Sequence, residues 1–321
     1  MLRIGIDLGG TKIEGVLARG APAPPAGPGL DVLVRRRVPT GRERGYDAVL
    51  ETAARLVEDL VREAIGARGA GAAAGLPIGV GMPGGVTRAG LVKNSNTTCL
   101  NGRPFRQDLE RRVGGRPLRF ENDANCFALA EARLGAGAAH RDGVVFGVIL
   151  GTGVGGGIVL GGRVWPGAQG IAGEWGHHAV FPGGRPCYCG QRGCVETYVS
   201  GPAVEADYEA RAGRRLALPE IAARRADDAH AAAAIETFLE AFGRALANVV
   251  DILDPAAIVL GGGVSNLDLL YTEGVARVAG HVFNEALLTP ILRHELGDSA
   301  GVLGAALLGA PGEGSGSGPG P

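Results

Sequence analysis

The chain has 321 residues, 45% of them apolar, and a formal net charge of −1. This length accommodates two domains of ordinary size, and the apolar fraction is ample for their cores. Charges of both signs are interspersed. Basic runs such as Arg35-Arg36-Arg37 and Arg111-Arg112 are short and read as solvated strand or helix faces, so neither nucleic acid nor a membrane is expected as a partner.

Residues 2–8 (LRIGIDL) read as a central strand, and Met1 leads straight into it, so no secretory signal and a cytoplasmic location are expected. Gly9-Gly10-Thr11 makes a turn, and residues 12–18 (KIEGVLA) return as a second strand. The Pro/Gly-rich stretch 20–29 reads as an exposed loop before a third strand at 31–38. Residues 46–65 have helical spacing, with Val49, Ala53, Leu56, Val57, Leu60, Val61 and Ile65 on one face. A strand at 76–82 ends at Pro83-Gly84-Gly85, and a short strand at 118–120 runs into Asn122-Asp123 and a helix. Residues 143–162 carry no charge over 20 positions, long enough to suggest a membrane span. Nine of them are Gly, each costing roughly 1 kcal/mol in a helix, so two strands joined by a glycine loop are expected instead. The longest helix spans about 229–253 and stops at Asp254-Pro255. A strand at 256–260 leads into Gly261-Gly262-Gly263, a helix at about 299–309 closes the fold, and 311–321 (PGEGSGSGPGP) reads as a disordered tail.

One internal repeat organises these elements. Residues 3–17 (RIGIDLGGTKIEGVL) and 146–160 (FGVILGTGVGGGIVL) are both strand, glycine turn, strand, which predicts two related α/β halves facing a cleft. A Gly-rich turn lets backbone N–H groups approach a phosphate without obstruction from a Cβ. Gly9, Gly10, Thr11 and Lys12 on one side and Gly151, Thr152 and Gly153 on the other are candidate phosphate contacts, with Gly261, Gly262 and Gly263 against adenine or ribose. A single such turn is more often a plain hairpin; three in this order are more specific. Gly151-x-Gly153-x-x-Gly156 also fits the dinucleotide fingerprint, but that fingerprint must open a helix and a strand follows here. Asp7, ending the first strand, suits Mg²⁺ bound to the phosphates, or else caps its own turn. Asn122-Asp123 suits both a helix N-cap and a general base. Proton loss is late in a loose phosphoryl-transfer transition state, so an ordinary carboxylate suffices there.

Of five cysteines, three lie within eight residues: Cys187, Cys189 and Cys194, following His177. One imidazole and three thiolates satisfy tetrahedral Zn²⁺ and leave no open position, the mark of a structural site. Gly190 and Gly193 would supply the tight backbone, and His178 is an alternative ligand that spacing barely separates from His177. Glu174 and Glu196 flank this knuckle and are suited to accept from sugar hydroxyls, though either alone reads as a surface Glu. Cys99 and Cys126 have no ligand-like neighbours.

The segments IGIDLGGTK (4–12), GMPGG (81–85), ENDANC (121–126), LGTGVGGG (150–157), GEWGHH (173–178), PCYCGQRGCVETYVSG (186–201), DPAAIVLGGGVSN (254–266) and HELGDSAGVLGAA (294–306) together resemble the ROK family of bacterial sugar kinases, from residue 1 to about 308. The resemblance implies the actin-like, hexokinase-like ATPase fold, a ribonuclease H-like duplication of two α/β domains. Its expected division is 1–122, 123–297, a C-terminal helix 298–310 returning to the first domain, and the tail. It implies Asp123 as catalytic base, and Asn122, Gly84, Glu174, His177 and Glu196 as sugar contacts. It further implies ATP, Mg²⁺, structural Zn²⁺, a hexose substrate and a homodimer. Segment 90–109 (GLVKNSNTTCLNGRPFRQDL), with Trp175 where the N-acetylglucosamine kinase branch usually has Phe, resembles the fructokinase branch, so D-fructose is the expected acceptor, with mannose and glucose weaker; a glucokinase, mannokinase or N-acetylglucosamine kinase of the same family is the alternative. A ROK repressor would carry an N-terminal helix-turn-helix, whereas here the first strand begins at Leu2. A silent sugar sensor is disfavoured by Asp123 and the complete glycine turns.

Overall fold

A computed structural model of the chain describes residues 1–20, 29–68, 75–87 and 89–308. The expected loop at 20–29 and tail at 311–321 lie mostly or wholly outside the described residues. The chain divides into two compact units, one of Met1–Leu134, Pro166–Ala172 and the segment from Asp298 on, the other of Gly135–Trp165 and Gly173–Gly297.

In the first unit, β1 (Leu2–Leu8), β2 (Lys12–Gly20), β3 (Leu30–Pro39), β4 (Ile78–Met82) and β7 (Leu118–Asn122) form one sheet in the order β3-β2-β1-β4-β7, with β5 (Gly85–Val86) and β6 (Val92–Lys93) a small separate pair. β1 pairs antiparallel with β2 and parallel with β4, so it is a central strand, and its side chains are mostly buried. Helix α1 (Tyr46–Arg68) covers the sheet with the apolar stripe read from its spacing: Val49, Ala53, Leu56, Val57, Leu60 and Val61 are all buried. Each such Leu or Val contributes about 1.5–3 kcal/mol on burial. Two more helices, α2 (Phe105–Arg112) and α3 (Asp123–Leu134), complete this part of the chain. Helix α3 stays with the first unit, so the division falls after Leu134 rather than after 122. The cause is packing: Ala128, Leu129, Ala130 and Ala132 are fully buried, and α3 lies against the last helix, α9 (Ala300–Leu307). Helix α9 also packs on β1 and β4, and a Cβ on Gly79 would lie 1.9 Å from the Ala305 carbonyl oxygen.

The arginine run on β3 is more than a solvated face. Glu14 on β2 is only 1% exposed, accepting from Arg37 Nε at 2.7 Å with Arg35 Nε at 3.6 Å, while Arg36 pairs with Glu63 on α1.

The second unit repeats the plan. β8 (Val144–Leu150), β9 (Val154–Leu160), β10 (Arg163–Val164), β11 (Ala257–Gly261) and β12 (Ile291–Arg293) run in the order β10-β9-β8-β11-β12. β8 pairs antiparallel with β9 and parallel with β11, as β1 does with β2 and β4. The uncharged stretch 143–162 is thus a hairpin, and no helix among the described residues is long and apolar enough to cross a membrane. Helix α4 (Glu196–Val199) and α5 (Gly201–Ala212) follow the cysteine segment; α6 (Leu218–Arg224), α7 (Ala229–Leu253) and α8 (Glu273–Ala279) complete the layer, with Asp228 capping α7.

Candidate functional site

In the first unit the turn between β1 and β2 is three residues long. Gly9 N–H donates to the Lys12 carbonyl at 2.9 Å, while the amides of Gly10 and Thr11 have no protein partner among the described residues. Unpartnered amides without side-chain cover are what a phosphate oxygen requires. Asp7 lies two residues before the turn, opposite Glu14 and Gly81 in the sheet register. Its carboxylate presses on the start of α9, where a Cβ on Gly301 would come within 2.9 Å of Oδ2. Burial, then the negative charges of Asp123 and Glu14, push the Asp7 carboxyl up to about 7 against a smaller opposing effect of Lys12. A carboxyl so crowded by others is suited to a divalent cation.

Asn122 ends β7 and Asp123 begins α3. Asn122 Oδ1 and Asp123 Oδ1 both accept from Ala124 N–H at 2.9 Å, so Asn122 acts as a helix cap. Asn122 Nδ2 donates to the Gly84 carbonyl at 2.9 Å, joining two of the expected sugar contacts through a hydrogen bond of their own. Glu121, whose carboxyl is raised by burial, accepts from Asn125 Nδ2 and from Asn122 N–H, both at 2.9 Å, which locks the strand end. Asp123 is therefore held on a rigid corner, close enough to Asp7 to perturb it.

In the second unit Gly151 N–H donates to Gly153 O and Gly201 N–H to Gly151 O, both at 2.9 Å. The third glycine turn abuts the second: Gly262 has φ +82°, and a Cβ there would lie 2.3 Å from the Leu150 carbonyl oxygen. Only glycine fits that contact and that conformation. Glu196 Oε2 accepts from Val154 N–H at 2.9 Å and lies 2.7 Å from where a Gly153 Cβ would be, so one oxygen of this expected sugar contact is committed to the glycine turn.

His177, Cys187, Cys189 and Cys194 each offer one ligand atom, and all four atoms lie within 4.8 Å of one another. Cys187 Sγ is 3.6 Å from His177 Nδ1, and Cys189 Sγ is 3.7 Å from Cys194 Sγ. A tetrahedron with arms of ~2.3 Å has edges of about 3.8 Å, so the donor set fits Zn²⁺. Burial raises the Cys187 and Cys194 thiols, whereas the exposed Cys189 thiol is lowered, chiefly by a hydrogen bond from the Gln191 backbone. Gly193 makes the tight approach: φ is +81°, and a Cβ would lie 1.8 Å from Phe181 O. His178 is turned elsewhere, its Nε2 3.4 Å from Asn248 Nδ2, which separates the two histidines that spacing left open.

One residue of this cluster was missed in the sequence. Tyr188, between the first two cysteines, is 77% exposed, and its hydroxyl lies 3.1 Å from His177 Nε2. Desolvation, then the charges of Glu196, Cys187, Glu174 and Cys189, push the Tyr188 phenol up to about 12. The His177 ring meets the Tyr188 ring edge-on, with centroids 5.2 Å apart, and Glu174 and Glu196 are near enough for their charges to act on the phenol. The only available signal was adjacency to the cysteines, which does not reveal where a side chain points.

Trp175 is buried edge-on against Phe146, with centroids 6.0 Å apart, and donates from Nε1 to Gly155 O at 2.9 Å. Trp175, the marker of the fructokinase branch, therefore packs against β8 and β9, where a Cβ on Gly156 would lie 2.6 Å from its Cδ1.

The ROK family model matches residues 3–310. The chain is 38% identical over 320 residues to the N-acetyl-D-glucosamine kinase of Pasteurella multocida (strain Pm70), covering 96% of this chain and 99% of that one. Its fold is similar to that of a ROK hexokinase from Thermus thermophilus, with TM-score 0.80, 35% identity, and 96% and 97% coverage of this chain and that one. It is also similar to a ROK family glucokinase from Streptomyces griseus crystallised with glucose and AMPPNP, with TM-score 0.71, 29% identity, and 96% and 99% coverage. The chain has the hexokinase-like fold of two α/β units with mixed sheets and belongs to the ROK family, where it falls among the sugar kinases. Similarity to an N-acetyl-D-glucosamine kinase, and to others of that name at 36–37% identity, does not support the expected fructokinase branch.

Proposed function

We propose that the protein transfers the γ-phosphoryl group of ATP to a hydroxyl of a hexose, with N-acetyl-D-glucosamine the favoured acceptor. The observation that carries the reading is the corner at the carboxyl ends of β1 and β7. Asp7, the unpartnered amides of Gly10 and Thr11, and Asp123 are held there by strand register and by the Ala124 N–H. Acceptor identity rests on the relatives, since Trp175 reports on packing rather than on the sugar. D-fructose, favoured by segment 90–109, is the second reading.

In this reading Asp123 accepts the proton of the acceptor hydroxyl as its oxygen bonds to phosphorus and the bond to the β-phosphate oxygen breaks, releasing ADP. The glycine-turn amides, Thr11, Thr152 and Lys12 hold phosphate oxygens, and Gly261, Gly262 and Gly263 lie against the nucleoside. Asp7 would hold Mg²⁺, whose charge neutralises the phosphates. His177, Cys187, Cys189 and Cys194 would hold Zn²⁺, which supplies rigidity. With Nδ1 on the metal side, His177 keeps its proton on Nε2 and donates to a sugar hydroxyl, while Glu174 and the second oxygen of Glu196 accept from others.

The test is kcat/KM for N-acetyl-D-glucosamine, glucose, mannose and fructose with Mg-ATP, repeated with Asp123→Asn. The highest value is expected for N-acetyl-D-glucosamine. The variant should keep sugar binding within a few-fold while kcat falls by about 10²–10⁴. Turnover of none of the four sugars would sink the kinase reading, and a preference for fructose would install the second one.

A further inference from the structure

The space above the first glycine turn is ringed by side chains that nothing so far has used. A Cβ on Gly10 would meet Arg42 Nη1 at 3.3 Å, Asn96 Oδ1 at 3.4 Å and Thr97 Oγ1 at 3.9 Å. Thr97 is fully buried, and its hydroxyl has no hydrogen-bond partner. An orphaned buried hydroxyl costs stability unless something fills its place. Arg42 makes no ion pair among the described residues, although Glu43 is its sequence neighbour; Glu43 lies 3.9 Å from Arg44 instead.

Neither group is there by accident of a loose loop. The segment bearing Arg42 is fastened to the turn: Thr40 N–H donates to Thr11 O at 3.0 Å and Thr40 Oγ1 to Gly9 O at 2.7 Å. Thr40 is fully buried, and Gly41 at φ +69° turns the chain into Arg42. The segment bearing Thr97 is closed on itself. Ser95 N–H donates to Asn101 Oδ1 at 2.9 Å, Asn101 Nδ2 to Ser95 O at 3.0 Å, and Thr97 N–H to Ser95 Oγ at 3.1 Å. Two backbone amides without partners, a guanidinium without a carboxylate and a hydroxyl without a partner surround one point. Lys12 stands on the same turn.

The chemistry that satisfies all of them is a phosphoryl group. It offers several oxygens to amide, hydroxyl and guanidinium donors at once, and arginine matches that geometry with two parallel bonds. Asn96 can present its amide nitrogen to the same oxygens. We propose that Arg42 and Thr97, together with the Gly10 amide, bind the phosphoryl group being transferred, as the γ-phosphoryl of ATP. This rests on the kinase reading above and adds to it the side chains that distinguish ATP from ADP. A cation on the transferring group stabilises charge that shifts during the reaction, so its loss lowers kcat as well as binding.

The test is calorimetric titration of the full chain with ATP, ADP and tripolyphosphate, in the presence of Mg²⁺, for wild type, Arg42→Gln, Arg42→Lys and Thr97→Val. Arg42→Gln is expected to weaken ATP and tripolyphosphate about 10- to 100-fold and ADP no more than about 3-fold, with partial recovery in Arg42→Lys. Thr97→Val should weaken ATP about 3- to 10-fold. Equal weakening of ATP and ADP, or no change in either, overturns the proposal, because a purely structural role cannot alter their ratio selectively. The titrations read binding directly. A wild type that turns over sugars while Arg42→Gln binds ATP normally refutes this inference alone. A wild type that turns over no sugar refutes the kinase reading, and the ATP-to-ADP ratio still reports on Arg42.

Discussion

Replacing Asp7 by Asn tests the electrostatics of the first glycine turn without reference to turnover. In the folded protein the Asp7 carboxyl is pushed from an ordinary 3.8 up to about 7, chiefly by burial and then by Asp123 and Glu14. Between those two values the folded state binds a proton that the unfolded state does not. Stability from this group is therefore fully present below pH 3.8 and is lost as pH rises through 7. At 1.36 kcal/mol per pH unit, the wild type should lose about 2 kcal/mol relative to the Asn variant between about pH 5.5 and about pH 8; partial exposure of Asp7 reduces this to about 1–2 kcal/mol. Asn keeps the shape and carries no charge, so the difference between the two proteins isolates the carboxylate. Urea unfolding of both, zinc-loaded and without magnesium or nucleotide, at several pH values measures it. The Asn variant should gain on the wild type as pH rises. A difference independent of pH, or one that moves the other way, would show that Asp7 is not held protonated by its surroundings. The same variant should bind Mg-ATP weakly at every pH.

The remaining predictions concern the second unit. A chelator should remove one equivalent of zinc per chain, cause proton uptake as the freed thiolates become thiols, and raise hydrogen exchange across residues 174–198. Unchanged exchange there after metal loss would refute a supporting role for the knuckle. Tyr188→Phe removes the hydroxyl 3.1 Å from His177 Nε2, which an incoming sugar must displace. KM for sugar should fall by about 2- to 10-fold with kcat and zinc content unchanged; a rise in KM would mean that Tyr188 itself holds the sugar.

Much of the molecule was legible along the chain because its signals are local. The stripe from Val49 to Val61 demanded a buried helix face, and it is buried. The repeated strand-turn-strand units at 3–17 and 146–160 predicted two sheets of one plan, and the pairing of β1 with β2 and β4 is repeated by β8 with β9 and β11. The spacing of His177, Cys187, Cys189 and Cys194 announced a tetrahedral donor set, and the four ligand atoms gather within 4.8 Å. Less legible were α5 and α6, whose large buried side chains are only Val204 and Tyr208 in one and Leu218 and Ile221 in the other, and which pack against α7. The first unit's boundary was set twelve residues early because α3 (12 residues) owes its place to α9, far along the chain.

What the sequence determined alone was everything that depends on neighbours a few positions apart: hydrophobic period, glycine turns, ligand spacing and the family these belong to. Tertiary structure decided what depends on charges and atoms brought together from distant segments. It chose His177 over His178, made Trp175 a packing residue, set Tyr188 against the histidine, and closed Arg42 and Thr97 around Gly10. The reason is geometric: spacing constrains which backbone can form, whereas the direction of a side chain and the burial that shifts its ionisation exist only once separate strands and loops have met.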